Sequence, residues 1–293
     1  ETQLIDMGIG EPDWPADAEV VKTLSEEAGK PSNRWYADNG IPEFQEAAAA
    51  YLEKVYGLKG LIPSENILHG VGSKPILAML PICFINPGDI LLTTVPGYPV
   101  MATYAKYLGG DVYNLPLMES NSFLPDFSQI PESVLKKARM LYINYPNNPT
   151  GAVANIEFYK QAIEFARKNN VVVINDSAYG ALTYDDVRPL SFLSVDGALE
   201  VGLEVHSLSK SFNMTGWRIG YIGAPVWIAK ACNKLQGQFT SGVCSIAQRA
   251  ALAALQGKSS SREEMRNAFL RRRDLICGLL KDIKGLKFRV PQG

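Results

Sequence analysis

Lys210 sits in the string Ser207-Leu208-Ser209-Lys210-Ser211-Phe212, at the end of an apolar run. A lysine in a partly desolvated pocket gives up its proton more readily and becomes a nucleophile toward aldehydes. Eight residues on, Arg218 closes the string Gly216-Trp217-Arg218-Ile219-Gly220. Its guanidinium can grip a phosphate through two parallel hydrogen bonds, and the serines add donors. The same local string also reads as an ordinary loop with a solvated lysine.

Further strings carry chemistry of the same kind. Asp176-Ser177-Ala178-Tyr179 follows the flat apolar run Val171 to Ile174. A carboxylate at a buried strand end is costly unless paired. It pairs well with a protonated ring nitrogen, and equally reads as a helix N-cap. Tyr179 then lies on the same side. Asn144 to Gly151 (NYPNNPTG) is a rigid turn in which Asn148 can present an amide donor. Gly70 to Pro75 (GVGSKP) opens an apolar helical stretch, where free backbone N–H groups suit an anion. In Pro96-Gly97-Tyr98-Pro99, Tyr98 can stack on a flat ring or simply plug a turn.

The elements that must position these residues alternate. Ile90–Val95, Met140–Asn144, Val171–Ile174, Leu203–Leu208 and Ile219–Ile222 read as strands, the third buried on both faces. Glu157 to Lys168 reads as an amphipathic helix. The pattern predicts an α/β fold with a mainly parallel sheet, whose ligands bind beyond the carboxyl ends of the strands. Ser261 to Ile283 reads as one long helix, with a capping box at Ser261 and Glu264, an apolar stripe through Met265, Phe269, Leu275, Leu279 and Leu280, and a stop at Gly285. Its Arg271, Arg272 and Arg273 read as a solvated face.

Bulk properties exclude several classes. The chain has 293 residues, 46% of them hydrophobic, and a formal net charge of -1, so a polyanion-binding protein is not expected. The four cysteines form no CxxC pair, which fits reduced thiols and neither a disulfide scaffold nor a metal site. The longest apolar stretch, Ile76 to Ile85, is far short of the ~20 residues of a membrane span. A soluble cytoplasmic protein is expected.

Taken in order, the strings resemble the class I and II aminotransferases, the fold-type-I pyridoxal-phosphate enzymes, over essentially the whole chain. The resemblance implies a large cofactor domain over 30–272 and a small domain begun by 1–29 and 273–293, incomplete because relatives continue past Gly293 to an arginine for the substrate α-carboxylate. It implies pyridoxal phosphate as cofactor, bonded to Lys210, which later shuttles a proton. Asp176 would pair with the ring nitrogen, Asn148 and Tyr179 would contact O3′, and Tyr98 would stack on the ring. Ser73, Lys74, Ser207 and Arg218 would hold the phosphate. Tyr36 would reach the phosphate of a second copy in a homodimer, and Gly10 and Asn148 would lie near the substrate carboxylate. An amino acid and a 2-oxo acid such as 2-oxoglutarate would be the substrates.

Tyr36 to Gly40, Gly72 to Pro75, Phe84 to Asp89 and Val112 to Leu117 are similar to LL-diaminopimelate aminotransferases. Gln236 to Gln248 is more similar to bacterial aspartate aminotransferases. Glu11 and Asn39 are candidates for the far end of the substrate. A β-lyase or decarboxylase on the same fold would keep Lys210, Asp176 and Arg218. A regulatory domain would need a basic DNA-binding segment that the sequence does not show.

Overall fold

The computed structural model describes residues 4, 8–37, 40–257 and 260–293. Seven strands among them form one sheet: β1 (Ile67–Gly70), β2 (Ile90–Val95), β3 (Asp111–Pro116), β4 (Ala138–Asn144), β5 (Val172–Asp176), β6 (Gly202–Ser207) and β7 (Gly220–Gly223). Their order across the sheet is β1-β7-β6-β5-β4-β2-β3. β7 runs antiparallel to both neighbours, and every other pairing is parallel. The expected mainly parallel α/β architecture is therefore present. The strand runs seen in the sequence became β2, β4, β5, β6 and β7 within a few residues of their expected ends.

The helices of eight residues or more are α1 (Ala18–Ala28), α2 (Pro42–Tyr56), α3 (Ser73–Phe84), α4 (Val100–Tyr107), α5 (Ile156–Asn169), α6 (Val226–Gln236), α7 (Ser245–Gln256) and α8 (Ser260–Leu280). Strand side chains alternate between two cores, as the period of two requires. Leu141, Ile143 and Val173 meet Phe44 of α2, Phe158 and Ile163 of α5, and Leu255 of α7. Met140, Tyr142, Ile174 and Val205 meet Leu77 and Leu80 of α3, Met101 of α4 and Ile228 of α6. Each such fully buried side chain contributes roughly 1.5–3 kcal/mol.

Local signals set the helix ends. Asn155 caps α5, its side chain accepting from Phe158 N at 2.8 Å, and Asn170 ends the helix in the left-handed conformation. α1 packs on α7, so the N-terminal segment is fastened to the sheet layer. The 272/273 division expected from the resemblance falls inside α8.

α8 departs from the reading of its surface. Met265 and Ala268 are buried, but Leu275 and Leu279 of the expected apolar stripe are exposed. Nor are Arg272 and Arg273, two of the three arginines read as a solvated face, simply solvated. Arg273 has a side chain only 9% exposed, paired with Asp185 at 2.8 Å and lying over the Tyr184 ring. Arg272 pairs with Asp13 at 2.9 Å, which ties the N-terminal segment to α8.

Candidate active site

The carboxyl ends of β4, β5 and β6 point the same way, and so does the start of the antiparallel β7. Asn144, Asp176 and Ser207 end their strands there, and Gly220 begins β7 opposite Ser207. Beyond β6 the chain turns into a one-turn helix, Leu208–Ser211. Ser207 caps it, its hydroxyl accepting from Ser209 N at 3.1 Å. This turn lifts Lys210 off the strand end, where it is half-buried, and its Nζ donates to the Gly10 carbonyl at 2.5 Å. Burial lowers the Lys210 pKa; Glu11 opposes that shift and Arg218 adds to it. The amine is thus easier to deprotonate than a solvated lysine.

Arg218 is left-handed, φ 54°. Its Nη1 donates to the Thr215 carbonyl at 2.7 Å, and Nη2 reaches the Val71 carbonyl at 3.5 Å. These contacts lay the guanidinium beside Gly72 and the first turn of α3. Gly72 has φ +79°, and a Cβ there would strike Arg218 Nη2. Glycine is required at this position on both counts. The free N–H groups at Ser73 and the Arg218 fork together make an anion seat. Lys74 stands nearby, its Nζ 5.9 Å from the centre of the Tyr98 ring.

At the other end lies Asp176, 4% exposed. Burial pushes its pKa up to about 6, against hydrogen bonds from Tyr142 and Ala178 N that favour the ionised form. Asn144 knits the neighbouring loop: its Nδ2 donates to the Asp176 carbonyl at 2.8 Å, and its Oδ1 accepts from Asn148 N at 2.8 Å. Asn148 Nδ2 in turn reaches the Tyr179 hydroxyl at 3.4 Å. Burial raises the Tyr179 pKa, so the phenol keeps its proton and donates.

A cleft of about 730 Å³ connects these groups. Ser73, Lys74, Tyr98, Asn148, Asp176, Tyr179, Ser207, Lys210, Arg218 and Gly10 all line it. Tyr36 does not; it is 84% exposed, away from its own chain's cleft. An adjoining cavity of about 560 Å³ shares Gly10, Glu11, Asn148, Tyr179 and Lys210 and adds Tyr184 and Phe269. Asn39 lies outside the described residues. The arrangement fits a flat ring with a phosphate at one end: an anion seat, an aromatic wall, a buried carboxylate for a ring nitrogen, phenol and amide donors, and an amine of lowered pKa.

Four neighbours of the site were not singled out in the sequence: Tyr142, whose hydroxyl meets Asp176; Asn144; and the buried pair Glu204 and His206 on β6. For Asn144 a signal existed, since it opens the NYPNNPTG turn directly at a strand end. The others sit inside strands, where an apolar run conceals which polar atom faces what.

The family model for aminotransferase class I and II matches residues 2–293. The chain belongs to the class I and II aminotransferases. It is therefore a pyridoxal-phosphate-dependent transaminase. An LL-diaminopimelate aminotransferase of Methanocaldococcus jannaschii is 51% identical over 293 residues, which is 100% of this chain and 69% of that protein. Substrate-bound BacF of Bacillus subtilis superposes with a TM-score of 0.95 at 38% identity, covering 98% of this chain and 73% of that one. A Thermus thermophilus aspartate aminotransferase double mutant gives a TM-score of 0.90 at 31% identity, covering 97% and 74%. The expected family, fold and cofactor all agree with these aminotransferase relatives. Among the described residues, no helix is long and apolar enough to cross a membrane.

Proposed function

We propose that this aminotransferase takes its amino group from LL-diaminopimelate and passes it to 2-oxoglutarate. The observation that carries the reading is the run of curated relatives of that name at 38–51% identity over nearly the whole chain. The string that pulled toward aspartate is occupied elsewhere. Gln248 is fully buried, its Oε1 accepting from Ile41 N and its Nε2 donating to the Val243 carbonyl, both at 2.8 Å. Neither Gln236 nor Gln248 lines the cleft. Glu11, on the rim of both cavities, is the proposed acceptor for the distal ammonium of diaminopimelate, which aspartate lacks.

When bound, the cofactor supplies a conjugated ring that withdraws electrons from the substrate α-carbon. Lys210 would hold the cofactor through its aldehyde, and the lysine amine would carry the proton at that carbon. Asp176 keeps the ring nitrogen protonated. Asn148 and Tyr179 orient O3′, and Tyr98 covers the ring face. Ser73, Lys74, Ser207 and Arg218 hold the phosphate, while Gly10 and Asn148 flank the substrate carboxylate.

The same reading makes the protein a cytoplasmic homodimer in which Tyr36 serves the partner's phosphate seat. It divides the chain into a cofactor domain over 30–272 and small-domain segments over 1–29 and 273–293. The test is the half-reaction: LL-diaminopimelate should convert the bound cofactor to its amine form faster than aspartate under matched conditions. Rapid conversion by aspartate with none by LL-diaminopimelate refutes the substrate, and a borohydride label on a lysine other than Lys210 refutes the site.

A further inference from the structure

Asp176 has to stay ionised in a place that penalises ionisation. Two donors reach its carboxylate: the Tyr142 hydroxyl to Oδ2 at 3.0 Å and Ala178 N to Oδ1 at 3.2 Å. Ala178 N belongs to the backbone turn after β5 and is available whatever the side chain. Tyr142 is a choice of residue. Its ring is fully buried in the core under the sheet, among Ile174, Ile222 and Leu77. The register that sets Asn144 beside Asp176 also sets Tyr142 beside Ile174, on the same face two residues below. A leucine would fill that space without leaving a buried hydroxyl to satisfy. Tyr142 does not line the cleft, so it reaches the chemistry only through Asp176.

We propose that Tyr142 is a positioning residue for transamination, its hydroxyl holding the Asp176 carboxylate ionised and fixed in rotation for the ring nitrogen. The inference rests on the reading that Asp176 faces that nitrogen. Burial and the adjacent carboxylate push the Tyr142 phenol far above its ordinary pKa, so its proton stays in place and donates.

The other groups around Asp176 do not replace it. His206 on β6 favours the ionised form and Glu204 opposes it. Glu204 is occupied: its Oε2 accepts from Asn175 Nδ2 at 2.9 Å and Phe192 N at 2.7 Å. His206 Nε2 lies 2.9 Å from Glu204 Oε1, close enough for an ion pair but without hydrogen-bond alignment. Tyr98, Tyr179 and Lys210 line the same cleft, but the hydroxyl bonded to the carboxylate belongs to Tyr142.

The test removes one oxygen, by Tyr142→Phe. The Asp176 carboxyl is followed by 13C NMR in the full chain stripped of cofactor, with its signal assigned from Asp176→Asn. The wild-type midpoint is expected at about 6, and the variant's about one to two pH units higher, the equivalent of one hydrogen bond to a charged group. Tyr145→Phe deletes another buried hydroxyl, bonded to the Phe123 carbonyl at 2.7 Å, and should leave the midpoint unmoved. Pyridoxal-phosphate affinity, read by fluorescence, should fall about two- to tenfold at about pH 7 in Tyr142→Phe and recover as pH rises through the new midpoint. An unshifted midpoint overturns the inference, and so does an affinity loss equal at every pH, which marks a packing defect. A shifted midpoint combined with normal turnover in Asp176→Asn upholds Tyr142's hold on the carboxylate and strikes only the assignment of Asp176 to the ring nitrogen.

Discussion

Asp176→Asn should stabilise the cofactor-free protein at neutral pH while crippling the enzyme. Burial raises the Asp176 pKa from 3.8 to about 6 in the folded chain. Between those values the native state binds more protons than the unfolded state, so stability falls as pH rises through the window. Above about pH 6 the loss is complete and constant. The difference of about 2 units, at about 1.36 kcal/mol each, comes to about 3 kcal/mol. Asparagine keeps the shape and carries no charge to bury. Its own hydrogen bonds shift the baseline by an amount that does not change with pH. Chemical unfolding of both cofactor-free proteins is measured from about pH 4 to 8 at one protein concentration, since assembly also contributes to apparent stability. The variant's advantage should grow through the window by up to about 3 kcal/mol and then level off. A difference that is flat with pH would mean that the carboxylate is not penalised, and the case for a strained, functional Asp176 would fail with it.

Four further outcomes follow from the geometry. Arg218→Lys keeps the charge but loses the two-pronged grip, so cofactor affinity should drop about 10- to 100-fold in a fluorescence titration. Gly72→Ala forces a side chain into a left-handed backbone and against the Arg218 guanidinium; it should weaken cofactor binding by tenfold or more, roughly the cost of the strain alone. Asn148→Ala should shift the absorbance titration of the lysine-bound cofactor, because it removes a donor from the O3′ side and frees the Tyr179 hydroxyl from its 3.4 Å contact. Mixing Tyr36→Ala with Lys210→Ala, each nearly inactive alone, should restore activity in hybrid dimers; no recovery after verified subunit exchange would refute the shared site.

The sequence was legible where the physics is local. Val171 to Ile174 announces a buried strand through unbroken β-branched residues, and β5 starts one residue later and runs two further. β1 and β3 were not read as strands. β1 is four residues long and contains a buried histidine and a glycine, and β3 is an edge strand with mixed exposure, so neither makes a continuous apolar run. The site strings were visible because each is a break at a strand end, where polar residues stand out. Tyr142 was invisible for the opposite reason, since a phenol within the apolar run around Met140 to Ile143 looks like core until the register shows what its oxygen meets. Arg273 was misread because charge at helical spacing carries no record of Asp185 and Tyr184, which reach it from a distant loop.

The reversed strand β7 has a mechanical consequence. Had the chain continued parallel after Lys210, it would have had to traverse the length of the sheet and return before reaching the cleft again. Because β7 runs antiparallel to β6, Arg218 arrives at the same rim in a single loop. The span between the lysine amine and the guanidinium is then set like the jaws of a calliper, by the loop joining two hydrogen-bonded strands. The mouth is built from other parts of the chain, Glu11 of the N-terminal segment and Phe269 of α8 among them, and these do not set that gap. A residue changed at the mouth therefore leaves the distance from amine to anion seat gauged by the hairpin.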